Sequence, residues 1–212
     1  MKKIVYIFFF LLFIVACVPT KIACVGDSIT YGSGIKNRDS LAYPQQLQQM
    51  LGDKFEVQNF GVSGATMLKN GNLPYWIQPE YQQSLIFNPK IIILMLGTND
   101  SKPINWNTYK DEFEKDYNKM ISNFQQLKSK PKIYIGLPPP VIKNRWGIQK
   151  EIVEGELMDI LKKIASENKL ELIDFYGILY GMDKMIPDNI HPNADGAKRM
   201  AIVAISKILT TN

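Results

Sequence analysis

The sequence predicts an α/β domain built on a parallel sheet that is covered by helices on both faces. Two observations carry this prediction. Short apolar runs rich in β-branched residues alternate with longer stretches whose apolar residues recur at helical spacing. One of the runs, residues 91–96, is continuously apolar, as a central strand buried on both sides must be. With 212 residues and no internal repeat or long linker, the chain is sized for one domain with a substantial core.

Five runs are expected as strands, at residues 22–25, 55–60, 91–96, 133–136 and 170–174. Four helical stretches lie between and after them. Leu41, Leu47, Met50 and Leu51 mark the first. Tyr109, Phe113, Tyr117, Ile121, Phe124 and Leu127 mark the second at three-to-four spacing. The third spans residues 148–168 and carries Ile152, Leu157, Ile160, Leu161 and Ile164. The last covers residues 194–209, and Pro192 is expected to open it in its first turn.

Residues 1–16 have the pattern of an export leader. Lys2 and Lys3 precede an unbroken apolar run of twelve residues, 4–15, shorter than the roughly twenty needed to span a bilayer. The run ends in Ile14-Val15-Ala16-Cys17, which resembles a bacterial lipobox. The resemblance implies cleavage before Cys17, lipidation of that residue, and a cell-envelope lipoprotein whose residues 17–20 tether a domain at 21–212. Membrane contact would then run through the lipid anchor alone. The tether is short, so the lipid should sit near the amino end of the first strand.

The net charge of +5 includes Lys2 and Lys3, and the remaining lysines are interleaved with acids, as in Lys110-Asp111-Glu112-Phe113-Glu114-Lys115. That is a solvated face rather than a nucleic-acid stripe, and no nucleic-acid partner is expected. Two cysteines exclude a Cys-built zinc site, and one histidine, His191, excludes a His-cluster metal site. No metal or cofactor is expected. Gly32-x-Gly34 lacks the third glycine of a dinucleotide loop. Cys24 falls in a predicted strand, where a thiol packs as a small hydrophobe, so no disulfide is expected.

In a parallel sheet the functional site lies beyond the carboxyl ends of the strands. Gly26-Asp27-Ser28-Ile29-Thr30 follows the first strand, Gly61-Val62-Ser63-Gly64-Ala65-Thr66 the second, and Gly97-Thr98-Asn99-Asp100 the third. Asp188-Asn189-Ile190-His191-Pro192 precedes the last helix. Together they supply a hydroxyl, an imidazole, carboxylates, a side-chain amide and exposed backbone N–H groups. These are the components of acyl transfer through a serine. Read singly, Ser28 would be a helix cap, Asn99-Asp100 a turn, Gly61 a tight turn and His191 a loop histidine. Their joint occurrence at strand ends and a facing loop favours chemistry.

These four blocks, in order across residues 21–212, resemble the SGNH (GDSL) hydrolase family, with GDSI here in place of GDSL. The resemblance implies a three-layer α/β/α sandwich with a flavodoxin-like five-stranded parallel sheet. It implies Ser28 as nucleophile, His191 as base and Asp188 as the residue that orients it. It also implies an oxyanion hole from the N–H groups of Ser28 and Gly61 and the amide of Asn99. Asp27, Asp100 and Asp174 are read as structural. Ser63 is set aside, because Gly61-Val62-Ser63-Gly64-Ala65 misses the last glycine of a Gly-x-Ser-x-Gly elbow.

The loops bear on the substrate. Tyr31, Met67, Leu68, Tyr75, Trp76, Trp106, Trp146 and Leu137-Pro138-Pro139-Pro140 are expected near the catalytic end. Some could stack on sugar rings and the others cap the core. No long apolar lid is evident. The chain as a whole is similar to the bacterial carbohydrate and sialate O-acetylesterase-like branch. The expectation is therefore a short-chain O-acetylesterase acting on carbohydrates. A lysophospholipase or acyl-thioesterase on the same triad is the alternative, and a non-catalytic glycan-binding surface lipoprotein is a second.

Overall fold

The computed structural model describes residues 18–210. The leader, the lipobox and Cys17 lie outside the described residues. The predicted parallel sheet is present, with five strands: β1 (Thr20–Gly26), β2 (Phe55–Gly61), β3 (Ile91–Met95), β4 (Lys132–Leu137) and β5 (Glu171–Asp174). Their order is β2-β1-β3-β4-β5 and every neighbouring pair is parallel. This is the flavodoxin-like order, and the chain reverses direction across the sheet between β1 and β3.

Side chains alternate across β3 and so define two cores. Ile92, Leu94 and Leu96 face helices Pro79–Phe87, Pro103–Gln125 and Met158–Glu167. Ile91, Ile93 and Met95 face helices Tyr43–Leu51, Phe175–Leu179 and Ala194–Thr210. Both faces of the strand are dry, which explains its unbroken apolar sequence. Each such side chain contributes roughly 1.5–3 kcal/mol through burial. Cys24 is a free, buried thiol on the second face, and burial pushes its pKa up to about 12.

Several elements differ from expectation. Leu41 belongs to a separate turn, Arg38–Leu41, and only Tyr43–Leu51 forms the longer helix. The single helix expected at 148–168 is broken. Gly155, at φ −104° and ψ −107°, leaves helical geometry inside Val153–Leu157. The break aims two carboxylates: Glu154 Oε1 accepts from Val141 N–H, and Glu156 Oε2 accepts from Trp106 Nε1–H. The helix Pro79–Phe87 went unpredicted, because Leu85-Ile86-Phe87 is a consecutive apolar run with no visible stripe, although only Phe87 of the three is buried. The last helix begins at Ala194, not at Pro192. Asn193 caps it, its Oδ1 accepting from Gly196 N–H at 3.0 Å.

β1 fixes the polarity of the site. Thr20 begins the strand and Ser28 follows its far end, so the two lie at opposite ends of the sheet along the strand direction.

Candidate active site

Ser28 opens a one-turn helix, Ser28–Tyr31, directly after β1. Asp27 is its cap, with Oδ1 accepting from Ile29 N–H at 2.9 Å. The Ser28 N–H therefore lies in the first helical turn, where no intrahelical acceptor exists. Asn99 stands after β3, across the point where the chain reverses direction. Its carbonyl accepts from Asn105 Nδ2–H, and its own Nδ2 donates to Ala65 O at 3.2 Å. One N–H of the amide remains for the cleft that Asn99 lines.

His191 reaches Ser28 from the opposite loop. His191 Nε2 is 2.9 Å from Ser28 Oγ, and Nδ1 is 2.8 Å from Asp188 Oδ2. Asp188 Oδ1 also accepts from the N–H groups of Ile190 and His191, at 2.9 and 2.7 Å. Partial desolvation raises the Asp188 pKa, but these N–H groups and the His191 ring outweigh it and hold the carboxyl below its usual value. An ionised Asp188 can only accept, so the Nδ1 proton points to it and Nε2 presents a lone pair to the serine hydroxyl. That is a hydroxyl prepared for deprotonation as it attacks.

Ser28, His191, Asp188 and Asn99 are thus brought together. Gly61 is not. Its N–H already donates to Asn59 Oδ1 at 2.9 Å, and the residue is buried. Its missing side chain serves packing: a Cβ there would lie 2.2 Å from Tyr31 N. Gly64 takes the place beside the cleft instead, at φ +85°. Its N–H meets no acceptor among the described residues. The signal was legible in Asn59-Phe60-Gly61, since an Asn side chain often captures the N–H two residues on.

The cleft holds about 280 Å³ and is lined by Ser28, Ser63, Gly64, Asn99, Lys102, Trp146, Ile148 and His191. Ser63 bonds the Ser33 hydroxyl, not an imidazole, so its hydroxyl lacks the base a nucleophile needs. Sequence reasoning missed Gly64, Lys102 and Ile148. Lys102 is the sole charged side chain among the lining residues outside the Ser28–His191 pair, and burial lowers its pKa against the pull of Asp27 and Asp100. No cluster of three or more metal-ligating side chains occurs among the described residues.

Asp27, Asp100 and Asp174 all hold backbone. Asp100 accepts from Met67 and Leu68 N–H groups at 2.9 and 2.7 Å, and so fixes the loop that follows Gly64. Asp174 caps the helix Phe175–Leu179. Of the aromatic and apolar loop residues, Met67, Leu68, Tyr75 and Trp106 are core, whereas Trp146 stands exposed beside His191.

Residues 24–199 match the GDSL-like Lipase/Acylhydrolase family. An acetylxylan esterase from Xylanibacter ruminicola is 38% identical over 206 residues, which cover 89% of this chain and 43% of that protein. A multidomain esterase from Ruminococcus flavefaciens is 24% identical over 217 residues, covering 85% of this chain and 27% of the other. The chain therefore spans less than half the length of these two relatives. Among solved structures, a carbohydrate acetylesterase from Sinorhizobium meliloti superimposes with a TM-score of 0.72 at 20% identity, covering 91% of this chain and all of the other.

Proposed function

This chain belongs to the GDSL-like lipase/acylhydrolase family, and on that premise we propose that it is a serine esterase removing acetyl or other short acyl groups from carbohydrates. One observation carries the reading: an aligned Ser28–His191–Asp188 relay opens onto a cleft of only about 280 Å³. That volume is at the low end for ligand sites and suits a small acyl group. The names of the acetylxylan esterase and carbohydrate acetylesterase to which the chain is similar support the same substrate class.

The steps follow from the geometry. Ser28 Oγ attacks the ester carbonyl while His191 Nε2 takes its proton. The carbonyl oxygen becomes an oxyanion, held by the N–H groups of Ser28 and Gly64 and by Asn99 Nδ2–H. Collapse expels the alcohol, which leaves with the proton from His191, and the acyl group stays on Ser28. Water then attacks the acyl-enzyme, giving a proton to His191, and collapse releases the carboxylic acid as His191 returns that proton to Ser28 Oγ. Asp188 holds the imidazolium between these transfers.

The leader pattern and Cys17 support a lipid-anchored envelope protein. With Thr20 and Ser28 at opposite ends of β1, an anchor at Cys17 would direct the cleft away from the membrane. That favours glycans over lipids of the same bilayer. Loss of fatty-acid labelling on Cys17→Ala would support the anchor.

Hydrolysis of p-nitrophenyl esters from acetate to decanoate tests the main reading. Turnover should peak at acetate and vanish with Ser28→Ala. A maximum at decanoate would replace it with a lysophospholipase or thioesterase.

A further inference from the structure

We infer that Trp146 is the platform on which the alcohol part of the substrate, a pyranose ring, stacks while its acyl group reaches Ser28; this rests on the esterase reading above. Trp146 and Gly147 form a two-residue turn. Arg145 and Ile148 pair across it as an antiparallel bridge, with Ile148 N–H donating to Arg145 O at 2.9 Å. Both turn residues have positive φ, +51° and +81°. Glycine adopts such angles freely and asparagine readily, but a bulky side chain rarely does. Trp146 is not drawn into the core in exchange, since it stays 54% exposed. A strained and exposed indole is poor packing and is held ready as a binding surface.

The turn is held rigidly to the catalytic loop. Ile148 is buried with Val141, Val153 and Ile190. Ile142 N–H donates to Asn189 O, and Arg145 Nη1 donates to Asp188 O at 3.1 Å. The Arg145 guanidinium lies 4.3 Å from the Trp146 ring centre. The ring is therefore placed without the substrate.

Its position selects the side of the ester it meets. The Trp146 and His191 ring centres are 5.5 Å apart. His191 returns a proton to the departing alcohol, so the alcohol must leave next to the imidazole. The group against Trp146 is therefore the alcohol part, not the acyl chain. A pyranose fits that surface: its C–H face covers the indole while its hydroxyls stay in water. Lys102, against Gly147 on the same turn, can donate to those hydroxyls.

The test compares two acetates, an O-acetylated methyl xylopyranoside and isopropyl acetate, which has no ring. Trp146→Asn keeps a residue suited to the turn and removes the indole. It should lower kcat/KM on the sugar ester about tenfold more than on isopropyl acetate, mainly through KM. Trp146→Tyr should restore most of the loss, and the pH profile of kcat/KM should not move. Equal losses on both esters, or a shifted profile, would mean that Trp146 only positions His191 and would overturn the inference. Wild type active on isopropyl acetate but not on the sugar ester would also overturn it, while inactivity on both would sink the esterase reading itself.

Discussion

The two halves of the catalytic cleft use carboxylates in opposite ways. On the nucleophile side, Asp27 and Asp100 are buried beneath Ser28 and Asn99. Burial pushes their pKa values up to about 6 and about 7, against the N–H groups they accept from. On the base side, Asp188 stays part-exposed, and three N–H partners hold its pKa low. The same functional group is thus scaffold in one half and charge in the other. Solvent access and donor number make the difference, not residue type.

Asp188→Asn breaks the comparison most sharply. An amide in place of the carboxylate can donate to Nδ1, which favours the tautomer with its proton on Nε2, facing the serine. Loss of kcat on a p-nitrophenyl acetate assay should be on the order of 10⁴-fold, with little change in melting temperature. A loss under tenfold would show that Asp188 does not orient His191. Asp100→Asn should behave in reverse. One of its two accepted N–H groups loses its partner, at a cost of about 1–3 kcal/mol, so thermal unfolding shifts down while residual activity remains measurable.

Gly61 and Gly64 sharpen the assignment of the second backbone donor. Gly61→Ala would place a methyl against Tyr31 N and Thr30 C, both backbone, and should cost about 1–3 kcal/mol or more in stability. Gly64→Ala meets only Leu73 Cδ2 at 3.4 Å, but its φ of +85° strains any side chain. The strain falls on the loop beside the cleft, so catalysis should suffer more than folding. The reverse pattern would return the donor role to Gly61.

The smallest expected effect is on the pH dependence of stability. Carboxyls in the unfolded chain titrate near about 4. Asp27 and Asp100 keep their protons in the fold up to about pH 6 and 7. The folded state then binds more protons between about pH 4 and 7, and these two groups make stability fall as pH rises through that window. Asp188 contributes stability above its unfolded pKa and loses it as pH drops through its lower folded value. Melting curves at pH 5 and 7.5 should show a smaller decline in Asp100→Asn than in the parent, and an equal decline would contradict the burial argument.

Much of this was readable in the sequence, and the failures have physical causes. The sheet was legible because β3 is apolar on both faces, and the triad because four blocks at strand ends and a facing loop resemble those of a known hydrolase family. Gly61 was misassigned because a glycine after a strand signals close approach without saying to what. Here the neighbour is Tyr31, and Asn59 consumes the N–H. The break at Gly155 was hidden because Val153, Leu157 and Leu161 keep four-residue spacing across it. Trp146 was one candidate among many, since exposure and a positive φ at a two-residue turn are tertiary facts.

The most direct test of the central claim is to mix the protein with p-nitrophenyl acetate, quench in acid within the first turnovers, and map the modified peptide by mass. One acetyl group is expected on Ser28, and none in Ser28→Ala. Acetate release that continues in Ser28→Ala, or an acetyl group carried on another residue such as Ser63, would contradict it.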